Sequence, residues 1–299
     1  MKKYVSVISL MLLALFCLGA CKTEQKESRS GLKIVTSFYP IYSLVKEIAG
    51  PDNQVLMLAS QKGIHDYEPS VAEMKEVYDA DLFVYHSEHL EAWAKQMDPN
   101  LQKSKLTVLE ASQGLLKPQK GLEDDQVLDP HSWLDPLSWA EEGVKVAESL
   151  SQLDPDHAKD YQKRAEELKQ KCQKLVKTYQ DQFSQLDFKS FVTQHTAFSY
   201  LADRFGLEQI GIAGISPDQE PNARDLMQIH DFLKEKGIKK IFLESQASPK
   251  IAQELSKSLG IELAVLDPLE AVPDNDQSYL ENMENNLKVL LEALKGEKK

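Results

Sequence analysis

Short apolar runs alternate along the chain with stretches whose apolar residues recur every three or four positions. The first kind predicts strands and the second predicts helices. From residue 32 the pattern gives a strand at 32–38, a helix at 41–49, strands at 55–58 and 81–85 separated by a helix at 71–78, a helix at 89–97 and a strand at 106–109. Residues 112–130 read as a loop, and a helix at 137–150 follows. The longest periodic stretch comes next. Ala158, Tyr161, Ala165, Leu168, Cys172, Leu175, Tyr179, Phe183 and Leu186 form one face of a single helix, with Asp154 and Pro155 as cap and first turn. At 1.5 Å per residue it is on the order of 45 Å long, enough to run beside two domains. The alternation then restarts, with strands at 191–194, 209–212, 238–243 and 261–266 and helices at 197–205, 223–236, 250–259 and 279–294. This order predicts an α/β protein with two βα lobes, each around a mainly parallel sheet, joined by one long helix. The N-terminal lobe is expected at 31–153, the linking helix at 154–187 and the C-terminal lobe at 188–299.

The first twenty residues fall outside this pattern. Lys2 and Lys3 precede an apolar run, and Leu18-Gly19-Ala20-Cys21 closes it. A basic start, an apolar middle and small residues at the end describe a secretory signal peptide at 1–20. The Cys directly after the small residues resembles the lipobox of bacterial lipoproteins, which implies a diacylglycerol-modified Cys21 as the mature first residue. A membrane-spanning anchor is the competing reading, but the run falls short of the roughly 20 residues that need. Residues 21–30 then read as a lipidated N-terminus and polar tether, and the chain as anchored to the extracellular face of the cell membrane.

Composition narrows the chemistry. The 299 residues are 42% hydrophobic and 27% charged, ordinary for a globular protein. The net charge of −12, or −14 without Lys2 and Lys3, excludes a nucleic-acid partner held through phosphates. Of three cysteines, Cys17 leaves with the signal, Cys21 carries lipid, and Cys172 falls on the apolar stripe of the long helix. No internal disulfide remains, and any metal site must draw on His, Asp and Glu.

Seven histidines are present. In open α/β sheets ligands bind beyond the carboxyl ends of strands. His65 lies in the loop after the strand at 55–58, His195 ends the strand at 191–194, and His131 stands in the loop Asp129-Pro130-His131-Ser132-Trp133. The strand at 261–266 runs into Asp267-Pro268-Leu269-Glu270. Three imidazoles and a carboxylate meeting between the lobes would suit a divalent transition metal, zinc above all. His86 and His89 follow the strand at 81–85 and read either as a polar helix start or as a cleft-mouth or second-metal pair. His157 and His230 read as helix-face residues. Glu244 ends a strand and reads as a ligand-orienting group or a helix cap. Glu123–Asp125 reads as a solvated acidic loop.

The local words are more specific. Gly63-Ile64-His65-Asp66-Tyr67-Glu68-Pro69-Ser70, Asp129-Pro130-His131-Ser132-Trp133, Thr193-Gln194-His195-Thr196-Ala197-Phe198-Ser199-Tyr200, Gly211-Ile212-Ala213-Gly214-Ile215-Ser216-Pro217 and Asp267-Pro268-Leu269-Glu270-Ala271-Val272-Pro273 occur in order over nearly the whole mature chain. Together they resemble the metal-specific solute-binding lipoproteins of ABC transporters, most of all the streptococcal zinc-binding type also described as laminin-binding. The resemblance implies a rigid linking helix and one metal in the inter-lobe cleft, held by His65, His131, His195 and Glu270. Some members use the Asp at the position of Asp267 instead; here the flanking Pro-Leu-Glu favours Glu270, with Asp267 as a cap or supporting partner. Manganese-specific members tend to carry Glu where His195 stands, and a third imidazole shifts the site toward zinc.

Three functions compete on this reading. A zinc receptor would capture Zn2+ and hand it to an ABC permease driven by its ATPase, working as a lipid-anchored monomer. A zinc hydrolase would need an open metal position and a general base; neither an HExxH motif nor a nucleophile elbow is present, so the chain is read as a non-enzyme. A laminin-binding surface adhesin with a structural zinc, or a manganese receptor, is the alternative.

Overall fold

In a computed structural model, residues 31–59, 63–97, 105–119, 127–217, 222–245 and 247–296 are described. The signal peptide, Cys21 and Glu123–Asp125 lie outside them. Strand β1 (Lys33–Phe38) is buried along its whole length, as an inner strand covered on both faces must be. Even Lys33 is enclosed, its Nζ 2.7 Å from Glu76. Helix α1 (Tyr39–Ala49) follows directly, with Pro40 in its first turn. Then come β2 (Gln54–Ala59), α2 (Val71–Tyr78), β3 (Leu82–Tyr85), α3 (Ala92–Lys95) and β4 (Thr107–Glu110). These strands form one parallel sheet in the order β2-β1-β3-β4, with Ile34 opposite both Val55 and Leu82.

After a small antiparallel pair, β5 (Lys117–Pro118) and β6 (Leu128–Asp129), come α4 (Pro136–Leu153) and α5 (Ala158–Ser184). The second half supplies β7 (Ser190–Thr193), α6 (Ser199–Phe205), β8 (Glu208–Gly211), α7 (Ala223–Lys236), β9 (Lys240–Leu243), α8 (Lys250–Leu259), β10 (Glu262–Val265) and α9 (Tyr279–Lys295). Its strands form a second parallel sheet in the order β10-β9-β7-β8.

Helix α5 joins the two halves. Its stripe buries Tyr161, Ala165, Leu168, Cys172, Tyr179 and Phe183. Toward its start it packs on α1 and α4, and toward its end on α6 and α9, where Phe183 meets Phe205 at 5.1 Å between ring centroids. Gly143 lets α4 approach closely, since a Cβ there would sit 3.1 Å from Leu44 Cδ1. One apolar cluster therefore runs from Phe38 and Trp133 through Leu168 and Phe183 to Leu287. The outer face of each sheet has its own smaller cluster.

The structure differs from the sequence pattern in three places. The helix expected at 89–97 shrinks to the single turn α3. The Glu91 carboxylate accepts from the N–H groups of His86 and Ser87, and Ser87 Oγ accepts from Leu90, so local side chains satisfy this backbone in turns instead. The loop at 112–130 contains the β5–β6 pair. The long helix opens with a 3-10 turn at Pro155–His157 and ends at Ser184, so its α-helical part is about 40 Å long.

Candidate metal centre

The segments after β2, β7 and β10 and the turn after β6 bring four side chains together. His65 stands in the segment between β2 and α2, in a turn closed by the Tyr67 N–H to the Ile64 carbonyl (3.1 Å). Ser70 then starts α2 with a reciprocal capping box to Glu73. His131 follows β6. The next residues wind into a 3-10 turn (Ser132–Leu134), and Asp135 caps α4 by accepting from Leu137. Arg204 of α6 grips the same Asp135 through two 2.7 Å hydrogen bonds.

His195 lies two residues beyond β7. Its carbonyl accepts from Thr193 Oγ1 (2.6 Å) and Gln209 Nε2 (3.0 Å). Gly211 makes room for this turn, because a Cβ there would lie 2.3 Å from Thr196 Oγ1. Glu270 lies beyond β10, after Leu269, whose φ of +56° costs a branched side chain about 1–3 kcal/mol. Several bonds hold that conformation. Asp267 Oδ1 accepts from Leu269 N–H (2.8 Å), Asn286 brackets the Asp267 backbone, and Trp133 Nε1 donates to the Pro268 carbonyl (2.9 Å).

Donor atoms of His65, His131, His195 and Glu270 all lie within 4.8 Å of one another. Glu270 Oε1 is 3.3 Å from His65 Nε2, 3.4 Å from His195 Nε2 and 3.8 Å from His131 Nε2, and the His65 and His131 Nε2 atoms are 3.4 Å apart. Zinc–nitrogen and zinc–oxygen bonds of about 2.0–2.1 Å in a tetrahedron require donor–donor edges of about 3.3–3.4 Å. Three of these edges are already at zinc dimensions, and the fourth, from Glu270 to His131, is about 0.4–0.5 Å longer. His195 Nε2 is buried without an aligned hydrogen bond, although a polar group in such a place normally has a partner. Three imidazoles and one carboxylate with this spacing fit a zinc ion.

Carboxylates behind the rings fix which nitrogens face inward. Asp129 Oδ1 accepts from both the backbone N–H and Nδ1 of His131 (3.0 and 2.8 Å). Glu244 does the same for His195, with the backbone N–H at 2.9 Å and Nδ1 in a close hydrogen bond. Each Nδ1 is thereby a donor and each Nε2 is left for the cluster, as in metal sites where a carboxylate orients the ligand histidine. Asp129 is itself held by Ser199 Oγ, and Glu244 N–H donates to Gln194.

Burial and neighbouring charge pull the groups apart. Burial works against a charged His195, but Glu244 and Glu270 outweigh it and raise its pKa to about 9. Burial also disfavours a charged Glu270, yet His195 and His65 hold its carboxyl well below the usual range. Burial dominates at His131 and lowers its pKa, despite Asp129. Without metal, the centre at neutral pH thus holds an ionised Glu270 against a protonated His195, with His131 neutral.

The other candidates fall elsewhere. Asp267 spends its carboxylate on Leu269 N–H and Ser245 Oγ and is not among the four converging groups. His86 is fully buried beside Trp133, whereas His89 is exposed. They form no cleft-mouth or second-metal pair, because Glu91 pins the turn between them. His157 pairs with Asp154 and His230 lies beside Asp231 at the surface. Asp129 went unread in the sequence, although its place two residues before His131 is the only local hint of its role.

Comparison with known proteins agrees with this geometry. Residues 34–293 match the family described as "Zinc-uptake complex component A periplasmic" (ZnuA). The chain is 37% identical over 304 residues to the zinc-binding lipoprotein AdcA of Streptococcus pneumoniae, covering 96% of this chain but 60% of that relative's length. Solved structures similar over most of the chain include the following two. One is a Zn(II)-bound mutant variant of AdcAII from Streptococcus pneumoniae, with 51% identity, TM-score 0.84, and coverage of 89% of this chain and 99% of that one. The other is the laminin-binding protein Lmb of Streptococcus agalactiae, with 50% identity, TM-score 0.83, and coverage of 88% and 99%. The chain belongs to the ZnuA family of zinc-uptake components.

Proposed function

We propose that this chain is the extracytoplasmic zinc receptor of an ABC transporter, with His65, His131, His195 and Glu270 as the ligands. The observation that carries the reading is the convergence of their donor atoms within 4.8 Å of one another, with three of the separations at tetrahedral zinc spacing. Three nitrogens and one oxygen favour zinc over manganese, which prefers oxygen-rich sites. Four protein donors close the coordination shell and leave no open position for a hydrolytic water, so the ion is cargo. In this reading residues 31–153 and 188–299 are the two lobes joined by 154–187, Cys21 carries the lipid anchor, and a permease with its ATPase receives the ion. The match to zinc-uptake proteins and to a Zn(II)-bound structure supports it.

Adhesion is a second reading. It rests on the likeness to Lmb, described as "a bifunctional protein with adhesin and metal transporting activity". Laminin binding that survives both metal removal and His195→Ala would favour it.

A thermal shift tests the receptor reading. An ion that binds only the folded state adds about 4 kcal/mol at a thousand times its Kd. Zinc should raise the Tm of the metal-stripped chain by several degrees, and His131→Ala should lose most of that gain. An unchanged zinc response in the variant would overturn the ligand assignment.

A further inference from the structure

Behind the metal cluster lies a second polar group. His86, Ser132 and Glu142 are each 0% exposed. Ser132 Oγ donates to Glu142 Oε1 at 2.7 Å and lies 2.9 Å from His86 Nε2, which is 3.4 Å from the same Glu142 oxygen. The trio is held from outside. The His86 N–H donates to Glu91 Oε1 (3.0 Å), and the His86 carbonyl accepts from Ser112 Oγ (2.8 Å).

This is a poor way to stabilise a core. His86 Nδ1 and Glu142 Oε2 are buried without hydrogen-bond partners, and such atoms cost stability. Apolar residues of similar volume would commonly serve the fold as well or better.

Two of the trio's contacts lead to the metal centre. Ser132 directly follows His131, so fixing its side chain fixes the turn that carries that imidazole. The next residue is Trp133, fully buried. Its ring packs edge-on against His86 and Phe38, each at 5.0 Å, and lies 5.1 Å from the His131 ring. Its indole N–H reaches the Pro268 carbonyl, two residues before Glu270, and its own carbonyl accepts from Tyr279 (2.9 Å). Trp133 thus stands between the turn bearing one donor and the strained turn bearing another, with the His86 ring packed on it and Ser132 preceding it in the chain.

We propose that His86, Ser132 and Glu142 are positioning residues for the metal: acting through Trp133, they set the separation of His131 and Glu270 across the cleft. The proposal rests on the receptor reading above, since it concerns the same four donors. None of the three supplies a donor atom to the cluster.

Three variants test it, with zinc as the ligand in a chelator competition and Co2+ as a spectroscopic probe of donor geometry. The triple variant His86→Phe, Ser132→Ala, Glu142→Leu removes the trio while keeping the core filled. Its metal-free Tm should be equal to or above that of the parent, yet its zinc affinity should fall at least tenfold, within the 10–100-fold range for supporting partners. The ligand-field bands of bound Co2+ should shift as well. If the triple variant does not fold, Glu142→Leu alone carries the same expectation, and Glu142→Gln, which keeps the acceptor for Ser132, should recover most of the affinity. Zinc affinity within twofold of the parent would overturn the proposal. So would a loss of affinity with an unshifted Co2+ spectrum, since that is the mark of a merely structural role. Failure of the parent chain itself to bind zinc would instead defeat the receptor reading.

Discussion

The two sheets have the same strand order but use their equivalent ends differently. Read from its first strand, each half has the order second-first-third-fourth: β2-β1-β3-β4 and β8-β7-β9-β10. In each, the order reverses between the first and third strands, where α/β sheets open a crevice. In the second half that crevice carries His195 after β7 and Glu244 after β9, hydrogen-bonded to each other with the imidazole turned to the cluster. In the first half it carries His86 after β3, with Glu142 of α4 at its side, but this pair is sealed in the core. The cluster histidines of that half come instead from the segment after β2 and from the turn beyond β6. A histidine at a strand end is therefore not enough. At His131 and His195 a carboxylate behind Nδ1 turns Nε2 toward the other donors, whereas the His86 Nε2 is turned to Ser132 and Glu142.

The sharpest way to break this comparison is to remove His195. A structural zinc site is worth about 10–16 kcal/mol over four ligands, so one ligand accounts for about 2.5–4 kcal/mol, or roughly 100–1000-fold in affinity. His195→Ala should lose that much in a zinc competition titration, and a loss below tenfold would remove it from the site. Next in size are the carboxylates behind the rings. Glu244→Gln and Asp129→Asn should each weaken zinc by 10–100-fold with the four donors intact. Equal affinity in either variant would show that the hydrogen bond to Nδ1 does not matter.

Acidity gives the third effect. Zinc needs a neutral His195, whose pKa in the metal-free protein is raised to about 9. Affinity should therefore rise with pH by up to about tenfold per unit between pH 7 and 9, and binding at pH 7 should release close to one proton from this residue, read from the buffer dependence of the calorimetric enthalpy. The metal-free protein should move the opposite way. A histidine with its pKa raised above the unfolded value of about 6.5 adds stability that is complete below pH 6.5 and lost as pH rises through 9. Opposite trends, one for affinity and one for metal-free stability, are the signature; parallel trends would contradict it. The smallest effect is steric. Gly211→Ala should cost about 1–3 kcal/mol by pushing on Thr196, and weaken zinc a few-fold through the His195 turn. Chemical denaturation and the same competition titration measure the two parts.

Much of this was legible in the sequence, and the exceptions share a cause. Period-two and period-3.6 patterns are local, so helices such as Val71–Tyr78, Ala223–Lys236 and Lys250–Leu259 begin and end where the residues predict. His65, His131, His195 and Glu270 stand at strand ends or in motif-bearing loops, and the fold brings them together. The shortfall at 89–97 comes from Glu91 bonding backward to two backbone N–H groups, which no periodicity reveals. Asp129 and the His86–Ser132–Glu142 group were hidden for a similar reason. Their partners lie up to 70 residues away, as in Ser199 to Asp129, and only the packed chain shows them.

The most direct test of the central claim is the metal content of the purified chain, stripped and then offered equal zinc and manganese, measured by mass spectrometry beside His195→Ala. The account predicts about one zinc per chain, little manganese, and loss of the zinc in the variant. Preferential loading of manganese, or zinc retained in full without His195, would contradict it.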